Sequence, residues 1–311
     1  MTDHRTEPPI TEQQNTEPFL RLLTAQRRLY ADVKATHNGR LIALGAIAAI
    51  TLIVAALAPS VRNYVGGSLG LIMGVWAVVA DMIEKKKNGI AASIQEEFDT
   101  RLYGIDQHPF FGSRHSDLDV TEAEARGSRD DLTDWYQPES ISDLVRPLDA
   151  IVCQRANLDY GVLLHRAYAR ILLIGLISAG LLATVFGLAL GYSVSNFLFG
   201  LIAPLLPPVL ALVREATAHR ESAAKKESAQ TKVADMWRRA LDDPAAVDDA
   251  QVRQAQDQIL EFRKTNARIP DRFYDRKRDK NEAKMLAHCS RMVEEARARG
   301  RVLPGRKTGN K

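Results

Sequence analysis

Cysteine is scarce in this chain, and the sequence motifs of several enzyme classes are missing from it. The 311 residues include two cysteines, Cys153 and Cys289, and neither belongs to a Cys-x-x-Cys or Cys/His ligand pattern. This argues against a disulfide framework and against a structural zinc site. No P-loop, dinucleotide-binding glycine pattern, Gly-x-Ser-x-Gly or His-Glu-x-x-His motif occurs either. We therefore predict a protein that is not an enzyme and that has neither a metal nor a cofactor.

Charge is missing from three long stretches, and these predict membrane-spanning helices. Residues 41–58, 64–80 and 171–213 contain no Asp, Glu, Lys or Arg. A helix needs about 20 apolar residues to cross the hydrocarbon core, so the third stretch, interrupted at 191–196, is long enough for two. We predict an all-α integral membrane protein with two transmembrane hairpins, 41–83 and 171–213. The four spans are 41–59, 64–83, 171–190 and 197–213.

The distribution of positive charge predicts the orientation of these spans. Seventeen Lys and Arg residues lie near the span ends on one side, whereas Arg62 is alone on the other side. Because Lys and Arg accumulate in cytoplasmic loops, we place both termini and the 84–170 loop in the cytoplasm. The loop has a net charge of −5 and the segment 214–311 has +8. Such a basic tail fits contact with anionic lipid or a phosphorylated ligand, or simply solvated helix faces that attract the acidic loop.

The segments outside the spans are predicted from composition and periodicity. Apolar residues recur at helical spacing between 17 and 40, which indicates an amphipathic helix that packs on a cytoplasmic body or lies along the membrane. The 84–170 loop contains further helices, and 214–299 forms a basic helical tail. The two ends, 1–16 and 300–311, are polar and are predicted to be disordered.

Small residues recur every four positions within two of the predicted spans. This spacing lets helix backbones approach closely where lipid supplies no hydrophobic drive for association. It therefore predicts helix packing, either within one chain or between the subunits of an oligomer. The residues are Gly66, Gly70 and Gly74 in the second span, and Ala179, Ala183, Gly187 and Gly191 in the third.

No ionisable residue lies near the midplane of a span, which argues against a transporter made of a single chain. A conduit for ions would instead form between subunits. Asp81 at the cytoplasmic end of the second span could form a ring at the inner mouth of such a pore, or pair locally with Lys85. Pro204, Pro207 and Pro208 in the fourth span predict a kink, which would either line a pore or be a static bend.

Three cytoplasmic segments, in this order and with this topology, carry a resemblance to a known family. They are LTAQRRLYADVK at 23–34, CQRANL at 153–158 and IPDRFY at 269–274. Over residues 17–290 the chain resembles the SMODS-associating four-transmembrane effector family. The resemblance implies a CBASS-type antiphage effector in the inner membrane of a bacterium, associated with a nucleotidyltransferase that makes a cyclic oligonucleotide messenger. The messenger would activate the protein to form oligomeric pores or to disrupt the lipid bilayer.

Two of these segments contain residue types that suit such a messenger. Phosphodiester groups need Arg or Lys donors, and nucleobases need stacking surfaces and amide hydrogen bonds. The candidate ligand-binding residues are Arg27, Arg28, Tyr30, Gln154, Arg155 and Asn157. Each could instead have a structural role in a cytoplasmic helical bundle. The alternative function is a membrane-anchored sensor or scaffold whose cytoplasmic helices bind a protein partner.

Overall fold

A computed structural model describes residues 8–57, 62–107, 115–189, 191–195, 197–198 and 202–303 of the chain. Eight α-helices make up most of this part, and the all-helical class predicted from the sequence is confirmed for it. The helices are α1 Ile10–Gln13, α2 Glu17–Leu57, α3 Arg62–Tyr103, α4 Asp117–Ala125, α5 Leu148–Ala189, α6 Ala203–Asp242, α7 Asp249–Thr265 and α8 Asp271–Ala298.

Four of these helices are unusually long, with 40 to 42 residues each. At 1.5 Å per residue, each is about 60 Å long. The boundaries that the sequence pattern sets at 40, 83, 170 and 213 fall inside α2, α3, α5 and α6, so each of these helices extends beyond the predicted span. Hydrophobicity changes at these positions, but the backbone hydrogen-bond ladder does not depend on it. Helix α2 packs along α3, and α5 along α6.

Helix α5 is the one helix, among the residues that the structure describes, that is long and apolar enough to cross a membrane. Its most apolar window has a mean hydropathy of 2.5, and 6% of that window is buried within the chain. The other three predicted spans each include residues or side chains that lie outside the described part of the chain.

A buried ionic network holds α7 against α3 in the helical body outside the predicted spans. The carboxylate of Asp99 accepts hydrogen bonds from Gln256 Nε2 at 3.0 Å and from Arg263 Nη2 at 2.5 Å. Glu96 accepts from Gln256 Nε2 at 2.9 Å and pairs with Arg253. Both carboxylates are almost completely buried, so the guanidinium and amide groups of α7 replace the water that these charges lose.

The N-terminal region differs from its predicted disorder where the structure describes it. Ile10 is buried in the core, and the Gln14 side chain exchanges two hydrogen bonds with the Tyr136 backbone. At the other end, Val302 forms an isolated antiparallel bridge with Leu144. A few apolar and amide side chains are thus sufficient to anchor these polar segments. Residues 1–7 and 304–311 lie outside the described residues.

The small residues predicted to pack between helices have different surroundings in the structure. A Cβ atom at Gly187 would lie 2.5 Å from the Phe197 ring, so this glycine is at a close approach. Ala179 is exposed in the single chain, and Ala183 is partly buried. Gly191 is not on the helix face, because α5 ends at Ala189 and Gly191 occupies the following turn with φ +62°. Gly66, Gly70 and Gly74 lie in α3, but their surroundings are outside the described part.

The remaining predicted positions in the spans are at helix ends or on a helix surface. Helix α6 begins at Ala203, so Pro204 lies in its first turn, where a proline costs no helix hydrogen bond. Pro207 and Pro208 follow in the same helix, and the side chains of all three prolines lie outside the described set. Asp81 and Lys85 form an ion pair at 2.7 Å on α3.

Candidate functional site

A cavity of about 290 Å³ lies where the halves of the long helices outside the predicted spans meet α7 and the start of α8. We call it the basic cavity, because four cationic side chains and no Asp or Glu occur among its described lining residues. The cations are Lys34, Lys226, Arg263 and Arg268. Aromatic and amide side chains complete the lining, mainly Tyr30, Tyr160, Tyr274, Phe262, Asn88, Gln95, Asn157 and Asn266.

Lys226 is a cation without a counterion within the described chain. The backbone of Gly161 makes room for its ammonium group, and a Cβ atom at position 161 would overlap Nζ. No carboxylate of the described residues pairs with it. Burial lowers the pKa of Lys226 to about 8, and the nearby Arg263 guanidinium acts in the same direction. A negative charge in the cavity would pair with this lysine and favour its charged form.

Three further polar atoms at the basic cavity are buried without a hydrogen-bond partner in the described chain. They are the Tyr30 hydroxyl, Arg263 Nη1 and Arg268 Nε. Burial raises the pKa of Tyr30 to about 12 and lowers the pKa of Arg268. Buried donors usually have partners, because an unsatisfied group costs about 1–3 kcal/mol. An anionic ligand in the cavity would satisfy them.

Tyr274 links three helices at the edge of the basic cavity. The Tyr160 hydroxyl of α5 donates to the Tyr274 hydroxyl of α8 at 2.6 Å. Lys34 of α2 lies 5.2 Å from the centre of the Tyr274 ring, and its Nζ is 2.6 Å from a carboxylate oxygen of Asp271. A phosphate group would compete with Asp271 for this lysine.

A chain of imidazole and carboxylate groups runs from the basic cavity to the nearest ends of the predicted spans. We call it the polar cluster. His165 lines the cavity, and its Nδ1 is 2.8 Å from Nδ1 of His219. Glu215 lies 3.2 Å from His219 and 3.5 Å from His37, which is 3.3 Å from Glu84. The polar cluster therefore joins α2, α3, α5 and α6, each through at least one side chain.

The pKa values in the polar cluster follow from burial and mutual pairing. Burial lowers the pKa of His165 to about 3, and the positive charges of Lys226 and His219 add to this effect. Burial alone would raise the pKa of Glu215, but hydrogen bonds with His219 and His37 lower it to about 2. No set of three or more His, Cys, Asp or Glu side chains in the described chain is arranged to hold a metal ion.

The structure brings together two of the six predicted ligand-binding residues. Tyr30 and Asn157 both line the basic cavity, together with Tyr274 from the third resemblance segment. The Asn157 amide donates to the Tyr136 hydroxyl at 2.6 Å and accepts from Arg263 at 3.4 Å. Asn157 therefore connects the cavity wall to the buried network of α3 and α7.

Arg27 and Arg28 are not among the residues that line the basic cavity. Arg27 Nη1 donates to the Asp130 backbone carbonyl at 2.5 Å, and Arg28 pairs with Asp32 one turn further along α2 at 2.7 Å. Tyr30 lines the cavity, but Arg27 and Arg28 project from other faces of α2.

Gln154 and Arg155 also lie outside the basic cavity. Gln154 is completely buried, and its amide donates to the Val252 carbonyl at 2.9 Å. Arg155 pairs with Asp159 at 2.8 Å and donates to the Gln230 carbonyl at 2.7 Å. Both join α5 to its neighbours, as the structural alternative predicts.

Sequence reasoning did not single out Lys226, Arg263, Arg268 or His165. The net charge of +8 over 214–311 was the available signal, and three of these residues belong to that tail. Charge alone does not distinguish a lysine that points into a cavity from its solvent-exposed neighbour Lys225. That distinction needs the packing of α5, α6 and α7.

Comparison with known proteins identifies one family. A family model described as "SMODS-associating 4TM effector domain" matches residues 8–292, which includes every residue of the basic cavity and the polar cluster. No curated protein matches the chain, and no solved structure does.

Proposed function

Since the chain belongs to the SMODS-associating 4TM effector family, we propose that it is an antiphage effector of the bacterial inner membrane, activated by a cyclic oligonucleotide. The family is one of membrane effectors and not a known catalytic family, and its description implies association with a SMODS-type nucleotidyltransferase pathway. The proposal assigns no catalytic role to any residue. The messenger binds in the basic cavity.

The observation that carries this proposal is the uncompensated charge of Lys226. The described lining of the cavity contains further cations and no carboxylate, and one buried atom each of Tyr30, Arg263 and Arg268 lacks a hydrogen-bond partner there. Phosphodiester groups supply negative charge and several acceptor oxygens, while Tyr30 and Phe262 offer surfaces for stacking. A messenger with such groups would neutralise the charge of Lys226 and accept hydrogen bonds from the donors that lack partners.

Four spans and two hairpins complete the proposed architecture. The long helices support it, because each runs without interruption from the cytoplasmic body into a predicted span. A negative charge bound at Lys226 would change the electrostatic environment of His165, the first member of the polar cluster. Rearrangement of the polar cluster would then shift α2, α3, α5 and α6 against one another. The shift would open an oligomeric pore or disturb the bilayer.

Release of dye and ions from liposomes that contain the purified full-length protein tests the proposal. We expect release with one member of a panel of cyclic di- and trinucleotides and none without it. Lys226→Gln should abolish the response, whereas Lys225→Gln removes an exposed charge at the next position and should leave it intact.

The exposed face of α5 favours one alternative. Ile174, Ile177, Leu181, Val185 and Leu188 are all exposed there, and Ser178 and Thr184 are the polar side chains exposed among them. A wide aqueous pore would need polar lining, whereas a membrane anchor would not. Folded, inserted protein that releases nothing with any nucleotide would therefore favour the anchored sensor or scaffold, and would contradict the effector proposal.

A further inference from the structure

A second and larger cavity adjoins the basic cavity. Its volume is about 600 Å³, and four residues line both cavities, namely Gln95, Asn157, Tyr160 and Tyr274. Asp131, Asp134 and Glu282 occur in its lining against one cation, Arg278, which lies 3.5 Å from Glu282. We call it the acidic cavity.

The two cavities have opposite charge although they share a wall. The described lining of the basic cavity includes four Lys and Arg side chains without a carboxylate, whereas that of the acidic cavity includes three carboxylates and one guanidinium. A ligand that extends through both would therefore be anionic at one end and rich in hydrogen-bond donors at the other.

Gln95 lies at the junction of the two cavities, where a ligand that extends through both would contact it. Its side chain lines both cavities, and the residue is 8% exposed. The Tyr160 and Tyr274 hydroxyls meet at the same junction, 2.6 Å apart. A buried amide offers two donors and an acceptor, which a ligand that passes between the cavities would satisfy.

Trp135 and two aspartates supply the remaining chemistry of the acidic cavity. Asp131 and Asp134 both have left-handed backbones, with φ of 55° and 54°, a conformation that Asp and Asn tolerate better than most residues. Hydrogen bonds with Asn15 hold Asp134 in place. The Trp135 indole lines the same cavity and is only partly buried, so it offers a stacking surface.

We propose that the two cavities form one composite site, in which the phosphodiester groups of the messenger lie in the basic cavity and a nucleobase with an exocyclic amino group lies in the acidic cavity. Adenine, guanine and cytosine carry such donors for the carboxylates, whereas uracil does not. This inference rests on the proposed function and adds the class of base that the site selects.

Calorimetric titration of the detergent-solubilised full-length protein tests the composite site. The ligands are cyclic di-GMP, cyclic di-AMP and cyclic di-UMP, which differ only in their bases. Loss of a hydrogen bond to a charged group lowers affinity roughly tenfold to a hundredfold, so we expect cyclic di-UMP to bind at least about tenfold more weakly than the better purine ligand.

Two substitutions in the acidic cavity complete the test. Asp131→Asn keeps the tolerance for a left-handed backbone and removes the charge, and Glu282→Gln removes the second exposed carboxylate. Both should weaken purine binding by about tenfold and leave cyclic di-UMP binding unchanged. Asp279→Asn removes an exposed carboxylate of α8 that lines neither cavity, and should have no effect on either.

The outcomes separate this inference from the proposed function. Binding that Lys226→Gln abolishes, but that is indifferent to the base and to both acidic-cavity substitutions, would overturn the composite site and leave the proposed function standing. Wild-type protein that binds none of the three ligands would overturn the composite site, and protein that binds no member of the wider panel of cyclic di- and trinucleotides would overturn the proposed function as well.

Discussion

Replacement of Lys226 by methionine should stabilise the ligand-free protein while it destroys the proposed binding site. Burial lowers the pKa of this lysine from its ordinary 10.5 to about 8. At about 1.36 kcal/mol for each pH unit, folding with the charged form costs about 3 kcal/mol. Lys226 is only partly shielded from solvent by its accessible area, so we expect methionine, which has a similar shape, to recover about 1–3 kcal/mol.

Thermal unfolding in detergent measures this gain. A change of 1 kcal/mol corresponds to about 2–4 °C in a domain of this order of size, so the melting temperature of Lys226→Met should rise by about 2–12 °C near pH 7. Lys225→Met on the exposed side of α6 is the matched control and should not change it.

The pH dependence of the gain distinguishes relief of a buried charge from better packing. The folded protein binds the Lys226 proton less tightly than the unfolded chain does. The wild type therefore recovers stability as the pH rises from about 8 to about 10.5, and the advantage of Lys226→Met should shrink over that range. Arg263 stays charged there and His165 stays neutral, so neither obscures the effect. A variant that is destabilised near pH 7, or an advantage that does not change with pH, would refute the reasoning.

Three further predictions concern binding and stability. Messenger affinity should fall about tenfold per pH unit above about pH 8, because the anion binds protonated Lys226; a flat calorimetric profile would contradict this. Asp99→Ala should lower the free energy of unfolding by about 3–5 kcal/mol, since it removes the buried carboxylate that accepts hydrogen bonds from Tyr136, Gln256 and Arg263, and an unchanged melting temperature would contradict the buried network. Gly187→Ala should cost about 1–3 kcal/mol against the ring of Phe197, whereas Gly180→Ala, with open space around its Cβ, should be neutral in the same melting assay.

The amphipathic segment shows how far sequence periodicity reaches. Between residues 17 and 40 it predicts an apolar face, and Phe19, Leu22, Leu29 and Val33 on that face are buried in the structure. The boundary at residue 40 is different, because α2 continues to Leu57. The hydropathy of the sequence changes at residue 40, but this change does not interrupt the backbone hydrogen bonds of the helix.

The candidate site shows where such patterns stop being informative. Tyr30 and Arg27 are three positions apart and equally suited to a nucleotide by residue type, yet Tyr30 lines the basic cavity and Arg27 caps a backbone carbonyl. The opposite case is Lys226, which the sequence shows only as one charge in a basic tail.

Local patterns along the chain were enough for the all-helical class, because a helix depends on residues close together in sequence. The order of three short segments along the chain was enough for the family, since a linear sequence records that order directly. The same patterns predict the membrane hairpins, which remain part of the proposed function. The site required the tertiary structure, since the chemistry of Lys226 depends on Gly161 and Arg263, and these lie far from it in sequence. Whether a lysine is solvated or buried without a counterion is decided by which helices pack around it, and no local pattern records that.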